Sequence, residues 1–293
     1  MSARVARVTA HAKLNLLLRI LGRDDQGFHA LETVFLRVEL GDAVTVRADV
    51  SGRALDCRGA DVGPVERNLA WRAAMAFAEV TGWPRGFAIE IDKRIPVGGG
   101  LGGGSADAGA VLRALAALAP SPPSLDTLLA VAAALGSDVP FLAGEHAAAL
   151  AWGRGERMLA LPAPPEHSAM LAFPGFAVST AEAYGWLDED RGTVPSAPRG
   201  ALLTLRELST WEGLAAISAN DFEPVVGRRH PQVDVLRGAM RDAGAVIARL
   251  SGSGSTVFGL FETPPDPGRL RWSGGERLAT RTLGAVPPVV VAD

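Results

Sequence analysis

Cysteine is almost missing from this chain. Cys57 stands alone among 293 residues, so no internal disulfide can form and a reducing compartment is expected. Long apolar runs are missing too. Membrane spans need ~18 or more apolar residues, and the longest run here, residues 128–135, reads as a buried helix. The first ten residues alternate arginine with small apolar side chains and lack the apolar stretch of a signal peptide. Basic surplus is absent as well: a net charge of −3 and a pI near 6.0 leave no electrostatic footprint for nucleic acid. No pair among His11, His29, His146, His167 and His230 has metal-ligand spacing, so no metal held by the protein alone is expected. These absences predict a soluble cytoplasmic protein with no nucleic-acid or membrane partner.

Two scarcities are more pointed. Of the 29 basic residues only Lys13 and Lys93 are lysine, and asparagine occurs only as Asn15, Asn68 and Asn220. An ammonium is a compact point charge on a thin stem, whereas a guanidinium is a broad planar fork. A chain that writes arginine almost everywhere keeps lysine where arginine would not serve.

What is present describes an ordinary globular protein, 48% hydrophobic and 21% charged. Its length exceeds one compact core, which predicts two domains. Alternation predicts strands over residues 13–20, 28–38, 44–50 and 87–91, with a polar turn at 22–27. A helix is expected over 68–80 with Leu69, Met75, Phe77 and Val80 inward, then others near 105–118, 125–135, 204–217 and 233–243. A strand is expected at 169–173 and a strand–turn–strand around 251–255. The proline-rich segment 161–165 is the best linker, dividing the chain into 1–160 and 161–293. The mixture gives α+β layers in each half.

The strongest single feature is the run Gly98-Gly99-Gly100-Leu101-Gly102-Gly103-Gly104, set between a strand and a helix opened by Ser105. Glycines let backbone amides close on a bulky anion, and a helix N-terminus adds unpaired N–H groups and partial positive charge. Asp107 is expected in that helix's first turn, where it suits the dipole. The outline is a phosphate cradle, with a flexible hinge as the plainer alternative. Gly104-Ser105-Ala106 lacks the lysine of a Walker loop. A dinucleotide fold would place an acid ~20 residues on after a second strand, but Asp126 lies within a helical pattern.

The segment PVGGGLGGGSADA, from Pro96, resembles the ATP loop of the GHMP kinases. Three further stretches resemble the branch that phosphorylates a cytidylated methylerythritol: AHAKLNLLLRILGRDDQGFHALETVF at the start, GSDVPFLAGEHAAALAWGRGE in the middle, and SANDFEPVV with RLSGSGSTVFGLF near the end. The likeness spans nearly the whole chain in order. It implies a two-domain fold, a ribosomal-protein-S5-like N-terminal half that binds ATP and a ferredoxin-like C-terminal half that adds to a substrate cleft. It implies ATP, with Mg2+ delivered on it because the triphosphate charge needs neutralising. The expected substrate is a small cytidine-diphosphate molecule, and the expected assembly a monomer or weak homodimer.

Carried over residue by residue, the resemblance places catalysis on Lys13 and Asp138. Phosphoryl transfer asks mainly for positioning and charge neutralisation. A carboxylate near the hydroxyl can accept or orient its proton, and a lysine beside both can neutralise the phosphoryl oxygens. Asn68, Lys93, Pro96, Gly98, Gly99, Gly100, Leu101, Gly102, Gly103, Gly104, Ser105 and Ala106 are implied around ATP. Asn15, Phe28, His29, Thr180 and Tyr184 are implied around the cytidine-diphosphate substrate. Phe28 stands where tyrosine is common in the family, keeping the stacking face without the hydroxyl. Ala106 stands where a second serine is common. A hairpin turn at 251–255 is placed near the phosphates.

Without the resemblance, a surface lysine at a strand start, an N-cap aspartate, an N-cap asparagine and a structural histidine are the plainer readings. A homoserine or mevalonate kinase would share loop and fold but has no need of a nucleotide-reading segment at Phe28-His29. A non-catalytic nucleotide sensor and an NAD-dependent dehydrogenase are the readings from other classes.

Overall fold

A computed structural model describes residues 4–23, 27–191, 203–266, 268–270, 272 and 274–292. Two twenty-residue strands form its spine: β1 (Arg4–Arg23) and β2 (His29–Ala48), paired antiparallel along most of their length. The two extended segments expected at 28–38 and 44–50 are one strand. Alternation breaks at Gly41-Asp42, which hides the continuity from a pattern search, yet the backbone runs on. Gly41 packs so close to β1 that a Cβ there would lie 2.7 Å from the Thr9 methyl. The register shifts on both sides of Lys13–Asn15, and such bulges re-aim side chains. The expected turn at 22–27 falls partly on residues 24–26, outside the described residues.

Four more strands complete one side of the chain. β3 (Arg53–Arg58) and β4 (Phe87–Asp92) extend the sheet from the C-terminal half of β2, and β5 (Ala148–Gly153) with β6 (Arg157–Leu161) from its N-terminal half. Helices α1 (Leu69–Thr81), α2 (Gly103–Leu118), α3 (Leu125–Leu135) and α4 (Val139–Ala143) cover this sheet. Asn68 caps α1 by accepting from the Ala70 amide, and Gly82 ends it in the left-handed region (φ 69°). The buried face of α1 is Ala70, Ala73, Ala74 and Phe77; of the four residues expected inward, Phe77 is buried, Leu69 and Met75 pack half-buried against the core, and Val80 is exposed. Small side chains win there because α1 packs closely on α2.

Helix α2 is buried over nearly all its surface from Ala106 to Leu115, the mark of a central helix. Gly109 lets it touch α4 backbone to backbone, since a Cβ would sit 2.5 Å from the Leu142 carbonyl carbon. The helix starts at Gly103, two residues earlier than expected, which moves Asp107 out of the first turn and into the interior.

The rest of the chain builds a second antiparallel sheet, in spatial order β11 (Glu276–Arg281), β7 (Ser168–Phe173), β10 (Val257–Phe261), β9 (Ile247–Leu250). Helices α5 (Thr180–Arg191), α8 (Glu223–Arg229) and α9 (Gln232–Asp242) pack with it. The helical stretch expected at 204–217 is two short helices, α6 (Leu205–Ser209) and α7 (Trp211–Ile217), each capped by a threonine. The short β8 (Ala219–Asn220) pairs parallel with β1, and β12 (Val290–Ala292) returns to flank β1 in the first sheet. β8 and β12 thus both join the first sheet, and the second sheet is tied to it along β2, where the Leu40 amide donates to Thr280 Oγ1 at 3.1 Å and the Leu283 amide to the Arg37 carbonyl at 3.0 Å.

Candidate active site

Glycine at residues 98–104 serves two ends. Gly98, Gly100 and Gly102 hold φ of +76°, +77° and +72°, a region L side chains rarely enter. The turn also docks against the hairpin that joins β9 to β10. Ser251 Oγ donates to the Gly100 carbonyl at 3.0 Å and the Thr256 amide to the Gly99 carbonyl at 3.2 Å. A Cβ on Gly100 would sit 2.1 Å from the Ser251 carbonyl oxygen. Asn220 braces the far side of that hairpin, donating to the carbonyls of Leu250 and Gly252, each at 2.8 Å. Two glycine turns from opposite halves of the chain thus interlock.

Beyond the turn, the first intrahelical bond of α2 runs from the Ala106 amide to the Gly102 carbonyl at 2.8 Å. The amides of Gly103, Gly104 and Ser105 precede it, and the opening amides of a helix have no acceptor within it. They border a cleft of about 540 Å³ with the positive end of α2 behind them.

Lys13 faces this cleft from β1. Its backbone amide donates to the Leu101 carbonyl at 3.0 Å, tying strand to turn. Its Nζ donates to Asn15 Oδ1 at 2.6 Å and lies 3.4 Å from Asp138 Oδ2. The second glycine turn closes over it: a Cβ on Gly252 would stand 3.3 Å from Nζ. Asn15 passes the constraint on, donating to Thr33 Oγ1 at 2.8 Å, and Thr33 donates to the Leu17 carbonyl at 2.6 Å.

Asp138 occupies the N-cap position of α4, yet its side chain makes no capping bond. Its carboxylate stays 29% exposed toward the cleft. The other end of α4 is held from below by Arg37, whose buried guanidinium donates to the carbonyls of Phe141 (2.6 Å), Gly144 (2.9 Å) and His146 (3.1 Å). Burial, with Arg113 nearby, pushes the Arg37 pKa down to about 9.

Lys93 behaves differently. Its ammonium is buried between two carboxylates, donating to Asp107 Oδ2 at 2.8 Å and to Asp42 Oδ2. Asp42 Oδ1 also accepts the Ile95 amide at 2.8 Å, as well as that of Arg94. Burial would lower the Lys93 pKa, but the two carboxylates raise it overall. The Asp107 carboxyl is pushed up to about 7, by burial first and then by Asp42 against the pull of Lys93.

A known family covers both halves of this architecture. A family model described as GHMP kinases N terminal domain matches residues 68–145, and one described as GHMP kinases C terminal matches 200–271. A 4-diphosphocytidyl-2-C-methyl-D-erythritol kinase of Anaeromyxobacter dehalogenans is 41% identical over 266 residues, covering 89% of this chain and 80% of the relative. The chain belongs to the GHMP kinases. A namesake enzyme of a Geobacter species is 38% identical over 87% of this chain and 89% of its own. Among solved structures, a 4-(cytidine 5'-diphospho)-2C-methyl-D-erythritol kinase matches with a TM-score of 0.75 and 36% identity, covering 94% of this chain and 98% of the other. A homoserine kinase of Cytophaga hutchinsonii shares the fold, with a TM-score of 0.67, 19% identity, and coverage of 99% and 97%. Membership of the GHMP kinases implies ATP as phosphoryl donor.

The kinase brings most of its sequence-expected residues to one place. Asn68, Lys93, Pro96, Ser105 and the run from Gly98 to Gly104 line the cleft together with Lys13, Asn15, Asp138, Thr180 and Tyr184. Ala106 does not: it is buried and faces away from the cleft lining. Phe28 and His29 line a second cavity of about 880 Å³, and Tyr184 borders both. Phe28 is exposed, with the Arg154 guanidinium 4.0 Å from its ring centre. Thr180 Oγ1 lies 3.3 Å from Ser253 Oγ. Burial, then the carboxylates of Asp138 and Asp188, push the Tyr184 pKa up to about 12, so its hydroxyl stays protonated.

Sequence reasoning missed Asp42, Asp107 as a buried partner, Thr33 and Asp188. Asp42 follows the glycine that lets β2 approach β1, and the break in alternation at Gly41-Asp42 makes it read as part of a turn. Asp188 sits in an acidic helix end that looks like solvated surface. Among the described residues no three His, Cys, Asp or Glu side chains gather as a metal site, and no helix is long and apolar enough to cross a membrane.

Proposed function

We propose that this kinase transfers the γ-phosphoryl of ATP to the 2-hydroxyl of 4-diphosphocytidyl-2-C-methyl-D-erythritol, yielding the 2-phosphate and ADP. The observation that carries the reading is the 3.4 Å pair of Lys13 and Asp138, facing the glycine turn across a cleft that shares the wall residues Leu31, Ser137 and Tyr184 with the second cavity.

The geometry supports a role for each part. The amides at the start of α2 and the glycine turn cradle the triphosphate. Asp138 accepts the proton of the attacking hydroxyl as the new O–P bond forms and the bond to the β–γ bridging oxygen breaks, releasing ADP. Lys13 neutralises charge on the transferring phosphoryl oxygens, with Asn15 and Thr33 fixing its ammonium. Asn68 borders the adenosine end. Phe28, His29 and Tyr184 hold the cytidine, and Thr180 flanks the diphosphate.

Mg2+ fits the donor set at this point, since Ser105 Oγ and the Asp138 carboxylate are hard oxygens on the cleft wall. When bound it neutralises triphosphate charge. The division near residue 160 belongs to the same proposal: the first part binds ATP and the second, carrying Thr180, Tyr184 and the 251–255 hairpin, closes the substrate side. A cytoplasmic site of action fits this chemistry.

The test is ADP release by the purified chain with the cytidylated methylerythritol, homoserine and mevalonate as acceptors. Turnover is expected with the first alone. Equal or better turnover with either of the others would remove the reading. ATP binding without transfer to any of the three would favour a sensor.

A further inference from the structure

On the wall of the second cavity, His29 and Tyr184 belong to a hydrogen-bonded unit that the transfer chemistry does not use. His29, the first residue of β2, meets Asp188, late in α5, with Nε2 2.8 Å from Asp188 Oδ1. Arg23 at the end of β1 binds the other carboxylate oxygen of Asp188. The His29 ring lies flat on Tyr184, with centroids 4.4 Å apart and planes at 27°. Tyr184 is itself wedged edge-on against Phe222 at 5.0 Å. The imidazole is therefore fixed both in its plane and about its axis, by residues more than 150 positions away in the chain.

The protonation pattern follows from donor chemistry. A carboxylate only accepts, so the nitrogen 2.8 Å from it carries the hydrogen. Burial would raise the Asp188 pKa, but the hydrogen bonds from His29 and Arg23 hold it below the usual carboxylate range, which keeps it an acceptor. Arg23 Nε–H also points at His29 Nε2, from the longer distance of 3.3 Å, and the shorter 2.8 Å contact to the carboxylate sets the hydrogen on Nε2. In neutral imidazole the hydrogen on Nε2 leaves Nδ1 as a bare acceptor. No partner for Nδ1 is found among the described residues, and the ring lines the cavity.

Cytosine and uracil differ at the 4-position of the pyrimidine: cytosine presents an amine that donates, uracil a carbonyl that accepts. We propose that Asp188 is a specificity-determining positioning residue, which locks His29 with Nδ1 as an acceptor so that the cavity takes cytosine and rejects uracil. The inference rests on reading the second cavity as the nucleobase subsite. An acceptor facing the cytosine amine makes a hydrogen bond, whereas one facing the uracil carbonyl leaves two lone pairs opposed and both groups unpaired, the situation that gives large discrimination.

The experiment compares kcat/KM for 4-diphosphocytidyl-2-C-methyl-D-erythritol and its uridine counterpart in the full chain, Asp188→Asn and Asp188→Ala. The unaltered chain is expected to prefer the cytidine compound by about 100-fold or more. Asp188→Asn can donate its amide to Nε2 and so favour the opposite tautomer; its preference should fall at least tenfold, with about the same KM for ATP. Asp188→Ala should fall between the two. Long-range nitrogen–proton NMR of the five histidines reads the tautomer without turnover: His29 should carry its proton on Nε2 in the unaltered chain and on Nδ1 in Asp188→Asn. A merely structural Asp188 would weaken both compounds alike, so an unchanged ratio together with an unchanged tautomer overturns the proposal. Absence of turnover with the cytidine compound in the unaltered chain would instead remove the underlying functional reading. Turnover with an unmoved ratio removes only the role of Asp188.

Discussion

The two lysines make opposite uses of the same side chain. Lys13 has one acidic side chain beside it, Asp138 at 3.4 Å, and one amide, Asn15 at 2.6 Å. Lys93 sits between two carboxylates in a pocket where both side chains of the second pair are almost fully buried. An ammonium already outnumbered by acids has no positive charge to offer a phosphate. One balanced by a single, partly exposed carboxylate beside a glycine turn does. Both rare lysines line the cleft, and their partners separate them: Lys13 has one partly exposed carboxylate beside it, whereas Lys93 is held between two buried ones.

Removing each should expose that contrast. Lys13→Ala is expected to lower kcat by about 1,000-fold, as loss of a charge-stabilising donor does. Its urea-unfolding midpoint should stay near that of the unaltered chain, because Asp138 can be solvated. A tenfold or smaller loss would take Lys13 out of the transfer step. Lys93→Met should do the reverse, destabilising the protein by about 3–5 kcal/mol by taking the buried cation away from Asp42 and Asp107. Equal stability in urea titration would mean that the triad is not holding the loop.

The glycine turn lies between the two lysines and sharpens the comparison. Gly100→Ala meets both a left-handed φ and the Ser251 carbonyl oxygen, so a loss of about 1–3 kcal/mol is expected, together with a weaker ATP affinity. Unchanged melting and unchanged ATP titration would show that the two turns do not interlock in solution. On the substrate side, Phe28→Ala should raise KM for the cytidylated substrate about tenfold, the scale of one lost base–aromatic stack. KM for ATP should stay put, and an equal rise in both would contradict the stacking role.

The smallest effect concerns Asp107. Its folded pKa, near 7, lies above the ordinary carboxylate value, so between roughly pH 4 and pH 7 the folded state holds a proton that the unfolded chain has released. Stability contributed by this group therefore falls as pH rises through that window. Asp107→Asn removes the titration, so its melting temperature relative to the unaltered chain should climb from pH 5 to pH 8. A flat difference would place the Asp107 pKa near its ordinary value.

Much of this was legible in the residues alone. The density of glycine between β4 and α2 marked a special turn, and the structure places that turn on the cleft wall against the β9–β10 hairpin. Asn68 signalled the start of α1, and α3 falls on the residues its periodicity predicts. The Lys13–Asp138 pair was reached through the family likeness rather than through spacing, since 125 positions separate them. What stayed hidden depends on contacts no local window contains. Asp42 meets Lys93 from β2, Asp188 meets His29 across the two halves, and β12 returns to β1 from the end of the chain. On α1 the pattern found Phe77 but missed Ala70, Ala73 and Ala74, because alanine looks neutral in a periodicity search while close helix packing demands it.

The central claim is that Asp138, held beside Lys13 and the glycine turn, receives the proton of the substrate hydroxyl. It is tested most directly by measuring turnover with the cytidylated methylerythritol and ATP affinity side by side in Asp138→Asn. The account predicts turnover reduced by about 1,000-fold with ATP binding nearly unchanged. Turnover close to that of the unaltered chain would contradict it.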